Sequence, residues 1–257
     1  MPKKYYAVKE GFDFNKNEAV KDLILDSWDE CVKYVKGVKG AKYKSFKSKE
    51  EASNYLSDNK ENVKKGTGEY PKDCLHIYVD GSYSVESERY AFAFVAVRDE
   101  VIVHVENGSS RDNSKKQLRQ IAGELEAAAR AVAYAHEMGE KKVAIFHDYA
   151  GIYHHAAGTW ERKDVSSKEY FDTMNSFVKE KGMDIVFVKT DGHSGDIYNE
   201  LADSFAKIAI GISLNKAVDK YLKDNRLKVK NEEIWEKLKN VVKFSNRGNV
   251  LITTEEL

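Results

Sequence analysis

The sequence is short of cysteine, of long apolar runs and of net charge, and each shortage excludes something. Cys31 and Cys74 are the only cysteines in 257 residues. They fall in what read as different domains, so a disulfide framework is excluded and a reducing compartment is expected. No apolar run approaches the roughly 20 residues that span a bilayer. The opening Met1-Pro2-Lys3-Lys4-Tyr5-Tyr6 has no apolar signal core. A soluble, cytoplasmic protein with no membrane partner is therefore expected. Lys+Arg and Asp+Glu are equal at 42 each, so any nucleic-acid surface must be local. Residues 1–65 hold 15 lysines against 11 acids, which leaves the remainder slightly acidic. The chain has no internal repeat, no low-complexity tract and no segment of polymerase size.

What the chain does have is 42% hydrophobic content, enough for one sizeable core and something smaller, and four carboxylates in telling contexts. Asp80 ends the alternation Leu75, Ile77, Val79 and precedes Gly81-Ser82. Glu124 opens the helix-like run Gly123-Glu124-Leu125-Glu126-Ala127-Ala128-Ala129. Asp148 ends the apolar run Val143 to His147, and Asp203 lies on the amphipathic stretch Asn199 to Ile210. Strand ends and helix faces are rigid mounts for ligands. Packed together without a cation, such acids repel and some take up protons. An all-oxygen donor set suits magnesium or manganese, and two such ions roughly 3.5–4 Å apart form the clamp used for in-line attack at a phosphodiester.

Along the chain, residues 1–56 read as a small α+β domain. Tyr5 to Val8 is strand-like, and a polar loop follows. Ser27 with Glu30 reads as a capping box opening a helix through Val35. Lys42 to Phe46 alternates like a strand, and Ser48 caps a second helix through Leu56. Apolar periodicity vanishes over 57–73, which reads as a flexible linker. Residues 74–211 read as an antiparallel meander of strands at 75–80, 91–97 and 101–106. A helix at 118–138 follows, with Leu125, Ala129, Val132 and Ala133 on one face. Next come a strand at 143–147, a helix from about 149, a helix at 167–181, a strand at 184–189 and a helix at 197–211. This order gives an α/β fold, a mixed five-stranded sheet flanked by helices. In 212–257, of unassigned role, Ile234, Trp235, Leu238, Val241 and Val242 repeat at helical spacing, and Val250 to Thr254 could form a strand.

These residues resemble a known family. Ile77-Tyr78-Val79-Asp80-Gly81-Ser82, Ala122-Gly123-Glu124-Leu125-Glu126-Ala127, Asp148-Tyr149 with Gly151-Ile152, and His193-Ser194-Gly195 with Asn199-Glu200-Leu201-Ala202-Asp203 are similar, in order and context, to the motifs of cellular ribonuclease H, type 1. Tyr5 to Val8, Trp28-Asp29-Glu30-Cys31 and Lys42 to Phe46 resemble the hybrid-binding, viroplasmin-like domain often joined to these nucleases. The resemblance implies a ribonuclease H-like sheet over 74–211 and an endoribonuclease that cleaves the RNA strand of RNA–DNA hybrids, leaving a 5′ phosphate and a 3′ hydroxyl. Two Mg2+ ions, or Mn2+, would be held by Asp80, Glu124, Asp148 and Asp203. By that pattern Asp80 bridges both ions, Asp203 helps hold the ion at the attacking water, and Glu124 and Asp148 help hold the ion at the leaving oxygen. His193 would shuttle a proton or ease product release.

The same resemblance places Tyr6, Trp28 and Tyr43 on the DNA backbone and Lys42 and Lys44 on phosphates. Ser82, Tyr83, Gln120 and Asn199 would touch nucleic acid in the catalytic domain, with 2′-hydroxyls as the group that marks RNA. Double-stranded RNA is a further ligand it allows for the N-terminal domain, and a monomer is expected. The chain departs from the family at Ser45, where a second lysine is usual, at Gln120, where an asparagine is usual, in the longer 9–27 segment and in an insertion around Thr190 and Asp191. Two rivals remain. One is a catalytically idle hybrid- or double-stranded-RNA-binding protein, which the intact acid set argues against. The other is a DNA-processing or reverse-transcription nuclease, which the absence of a polymerase-sized segment disfavours. His154-His155 lacks the partners of a tetrahedral zinc site and is expected on a helix surface. Trp160 either touches DNA or pins a helix end.

Overall fold

The computed structural model describes residues 4–57, 63–66, 69–110, 120–162, 164–192 and 195–253. The chain divides into two compact units, Met1–Glu61 with Ala157–Glu161, and Asn62–Ala156 with Arg162–Leu257.

The first unit contains β1 (Tyr5–Asp13), β2 (Glu18–Leu25), α1 (Trp28–Val35), β3 (Lys42–Phe46) and α2 (Lys49–Ser57). The strands form an antiparallel sheet in the order β2-β1-β3. Alternation along β1 builds two small cores. Ala7 packs with Phe46, Ala52 and Leu56, and the next residue, Val8, packs with Cys31 and Val35. Both helices start on side-chain caps. The Ser27 hydroxyl accepts from the Glu30 N–H at 3.2 Å. At α2 the box is reciprocal, for Ser48 Oγ accepts from the Glu51 N–H at 3.1 Å while Glu51 Oε2 accepts from the Ser48 N–H at 3.4 Å.

The stretch after Val8 corrects the sequence reading. It is not a polar loop but a hairpin. The Asp13 carboxylate accepts from the Asn15 and Lys16 N–H groups, and Asn17 closes the turn at a φ of 55°. β2 hides from a hydrophobicity reading because Glu18, Ala19, Lys21 and Asp22 are exposed.

The second unit is built on β4 (Val63–Lys64), β5 (Leu75–Ser84), β6 (Arg89–Arg98), β7 (Val101–Ser110), α3 (Gln120–Glu137), β8 (Lys142–His147), α4 (Gly151–Ala156), α5 (Val165–Lys179), β9 (Asp184–Lys189) and α6 (Ile197–Ile208). The tail adds α7 (Ala217–Asp224), β10 (Leu227–Val229), α8 (Glu232–Leu238), a 3-10 turn at Phe244–Asn249 and β11 (Val250–Ile252). The five expected strands form the centre, in the order β7-β6-β5-β8-β9, with β5 to β7 antiparallel and β5, β8 and β9 parallel. Three short strands extend this sheet to eight. β10 and β11 add beside β7, and β4 adds beside β9.

Two segments are therefore more ordered than their sequence suggests. Within the stretch read as a linker, Val63–Lys64 pairs with β9, and Lys65 Nζ reaches the Tyr78 hydroxyl at 2.9 Å and pairs with Asp196. Two residues of strand carry too little pattern to see. The tail buries Val218, Leu222, Leu227, Val229, Ile234, Leu238, Val241, Val242 and Val250 in the same core as Tyr78, Ala93, Phe146 and Phe205. α8 stops at Leu238, and a tight turn delivers Val241 and Val242 to that core.

α3 lies against β5 and β6, with α5 behind it. Its buried stripe runs through Ala122, Leu125, Ala128, Val132 and Ala135, while Ala129 and Ala133 are only half-buried, which corrects the face expected for them. The tail's core burial predicts that Leu222→Ala or Leu238→Ala, each fully buried, lowers stability by about 2–5 kcal/mol. Urea unfolding with an unchanged m-value is the check, and a change under 1 kcal/mol would mean the tail is a loose appendage.

Candidate metal centre and nucleic-acid face

Asp80 sits within β5, Glu124 in the second turn of α3 and Asp148 just past β8. Two glycines make their meeting possible. A Cβ on Gly81 would lie 2.4 Å from the Glu124 nitrogen, and one on Gly123 would lie 2.0 Å from the Ala91 carbonyl oxygen. Without side chains there, the helix backbone rests directly on the strands. One carboxylate oxygen from each of Asp80, Glu124 and Asp148 then lies within 4.8 Å of the other two.

At that spacing each ionised pair costs roughly 3 kcal/mol at an effective dielectric of about 20. Burial, then Asp148, Glu124 and Asp203, push the Asp80 carboxyl well above the usual carboxylate range. Burial and Asp148 push Glu124 up to about 8, against the Gln120 amide and the Lys189 ammonium, which pull it down. The Gly81 N–H donates to Asp80 Oδ1 at 2.7 Å, and Gln120 Nε2 donates to Glu124 Oε1 at 3.1 Å. Hard oxygen donors crowded at this spacing, which repel one another when ionised, are the donor set of a divalent-cation site, so these residues fit magnesium or manganese.

Asp203 lies outside that close cluster. It is buried on α6, and its Oδ2 accepts from Lys207 Nζ at 2.6 Å and Asn215 Nδ2 at 3.1 Å. Its charge still reaches Asp80. His193 lies outside the described residues. The expected nucleic-acid residues of this unit divide. Gln120 is exposed and Tyr83 half-buried, whereas Ser82 is buried. Asn199 is 3% exposed, and its Oδ1 accepts from the Thr190 hydroxyl at 3.3 Å. That bond ties the end of β9 to α6.

Lys189, Lys207 and Asn215 were not read from the sequence. Lys189 Nζ binds the carbonyls of Asp148 and Thr190. Nothing about an isolated lysine at a strand end or an asparagine past a helix marks such roles. His147 is buried, its Nδ1 lies 2.8 Å from the Tyr149 carbonyl, and burial pushes it down to about 3, so it stays neutral and structural. His155 is buried rather than on a helix surface. Trp160 is 39% exposed. Cys31 and Cys74 are both buried free thiols, and no helix among the described residues is long and apolar enough to cross a membrane.

In the first unit, register explains an aromatic row. Tyr6 and Val8 share a face of β1, Tyr43 pairs with Val8, and Trp28 opens α1. The Tyr6 and Trp28 rings lie 5.7 Å apart, and Trp28 and Tyr43 lie 5.8 Å apart. Trp28 and Tyr43 are each 44% exposed, a waste of apolar surface unless something covers it. Lys42 is exposed and pairs with Glu10 at 2.9 Å. Lys44 is half-buried, with its ammonium 5.8 Å from the Phe46 ring.

A cluster of carboxylates mounted on a strand, a helix and a strand end is the equipment of divalent-cation enzymes acting on phosphate esters. A family model described as RNase H matches residues 72–211, and one described as the ribonuclease H1 N-terminal domain matches residues 4–56. The chain belongs to the RNase H family, and its enzyme class is ribonuclease H. No curated protein matches. Similar solved structures include RNase H1 from the halophilic archaeon Halobacterium salinarum, at 18% identity over 53% of this chain and 97% of that one, with a TM-score of 0.44. The N-terminal RNase H domain of a Mycobacterium tuberculosis protein is 12% identical over 57% and 96%, with a TM-score of 0.45. LC11-RNase H1, solved in complex with an RNA/DNA hybrid, is 19% identical over 53% and 96%, with a TM-score of 0.45.

Two predictions follow from these charges. A carboxyl with a raised folded-state pKa favours the fold at low pH and loses that contribution as pH rises through the raised value. Without metal, the unmodified chain should therefore lose stability between the ordinary carboxylate range and about pH 8 relative to Glu124→Gln, by an amount on the order of a few kcal/mol. Denaturant titrations in a chelator at pH 5 and pH 8 measure it, and parallel pH profiles would count against the raised carboxyl. Separately, Glu10→Gln removes the acid paired with Lys42 and should tighten hybrid binding by up to about fivefold with a steeper salt dependence, read by fluorescence anisotropy.

Proposed function

We propose that this chain is an endoribonuclease that cuts the RNA strand of RNA–DNA hybrids. The observation that carries the reading is the meeting of Asp80, Glu124 and Asp148 within 4.8 Å on elements of a chain in the RNase H family. Asp80, Glu124, Asp148 and Asp203 would hold two magnesium ions, with manganese as a substitute. When bound, such ions lower the pKa of water and neutralise charge that develops on phosphate oxygens, and the ends left are a 5′ phosphate and a 3′ hydroxyl.

The protein's own contribution is positioning. The rigid strand and helix fix the carboxylates before substrate arrives, and Lys189 sets a positive charge beside Glu124. Gln120, exposed beside Glu124, would donate to a 2′-hydroxyl, the group that separates RNA from DNA. The aromatic row of Tyr6, Trp28 and Tyr43 packs on sugars while Lys42 and Lys44 meet phosphates. Holding the hybrid through the N-terminal unit raises its local concentration, an effect that reaches roughly 10²–10⁴ for tethered modules. Double-stranded RNA fits the same row less selectively, and the working form is a monomer.

The test is digestion of a labelled hybrid under a magnesium titration, with duplex DNA and duplex RNA as controls. Metal-dependent cutting confined to the RNA of the hybrid is expected. Binding without cutting at any metal concentration would favour the idle binder. Asp148→Asn should keep hybrid binding while lowering cleavage by at least about a hundredfold, more than loss of an outer hydrogen bond to a metal ligand costs. Retained cleavage by that variant contradicts the assignment.

A further inference from the structure

The fourth acid is held from outside the segment that matches the RNase H family model. That match ends at residue 211, and Asn215 lies beyond it. Asn215 Nδ2 donates to Asp203 Oδ2 and to Glu200 Oε2, each at 3.1 Å. Its Oδ1 accepts from the Ala217 N–H at 2.9 Å. The amide orientation is chemically forced, since only the NH2 group can face two carboxylates and only the oxygen can take a backbone N–H. Lys207 supplies the second donor to the same Asp203 oxygen. Among the described residues, Asp203 Oδ2 takes both bonds and Oδ1 takes none.

We propose that Asn215 is a positioning residue that, with Lys207, locks the rotation of Asp203 so that Oδ1 is left for a divalent cation. The tail therefore tunes the metal centre as well as covering the core. Its fold holds Asn215 in place. Val218 and Leu222 of α7 are buried. The Asp219 carboxylate accepts from the Lys243 N–H at 3.0 Å and from Asn246 Nδ2 at 3.1 Å, and Asn249 Nδ2 donates to the Leu222 carbonyl at 2.8 Å. Hydrogen bonds to metal-ligating carboxylates are a recognised lever on metal affinity.

The inference rests on the metal-site reading above, and its test separates the two. Asn215→Ala removes the bridge to Asp203 and the bond to the Ala217 N–H at the start of α7. Asn215→Ser keeps an oxygen for the Ala217 N–H but is too short to reach the two carboxylates. Calorimetric titration of Mg2+ and Mn2+ into the full chain is the primary readout, with the magnesium midpoint for hybrid cleavage beside it. Both variants should bind metal about tenfold more weakly, with KM for hybrid at saturating magnesium unchanged, and only Asn215→Ala should melt earlier in chelator. If Asn215→Ser titrates like the unmodified chain, the residue serves only the Ala217 N–H and the proposal is overturned. A flat titration of the unmodified chain itself would sink the metal-site reading and this inference with it.

Discussion

Gly81 and Gly123 let α3 lie on β5 and β6 at backbone distance, and the candidate site depends on that contact. A side chain at either position would meet main-chain atoms, 2.4 Å away at Gly81 and 2.0 Å away at Gly123, and would lift the helix. Lifting it would carry Glu124 away from Asp80 and Asp148. Each glycine directly adjoins a site acid, so the residue that permits the approach and the residue that exploits it are neighbours in sequence.

The closeness has an electrostatic cost that the remaining structure bears. Burial and mutual repulsion keep Asp80 and Glu124 protonated more readily than free carboxylates. The fold tolerates this because the site sits on a sheet whose core is continuous from Tyr78 and Phe146 to Leu238 and Val250. Sites that hold like charges together are drawn from stability gained elsewhere. Here the tail supplies part of it, as helices and strands that thicken one face and extend one edge of the sheet.

The candidate acids could be read from the sequence because each marker is local, and the N-terminal aromatic row because its short motifs resemble the hybrid-binding domain. Asp80 and Asp148 close alternating or apolar runs, Glu124 sits one residue past Gly123, and Trp28 follows a capping Ser27. Segments whose order comes from distant partners could not be read this way. β2 is polar on the residues it shows to solvent, and β4 is two residues long and gains its place from β9. The tail's apolar residues are spaced for a surface they do not themselves form. Asn199 carries a tie the sequence does not show, its Oδ1 accepting from Thr190 at the end of β9.

By itself, the sequence determined the class of fold and the run of strands and helices along the chain, since alternation and helical period act over a few residues, and motif context marked the candidate acids. Only the tertiary structure decided that Asp80, Glu124 and Asp148 cluster while Asp203 lies outside that cluster, bonded to Lys207 and Asn215. The same is true of the sheet's growth to eight strands and of the tail's place in the core. Those outcomes depend on distances between residues far apart in the chain, and such distances are set by packing rather than by any local pattern.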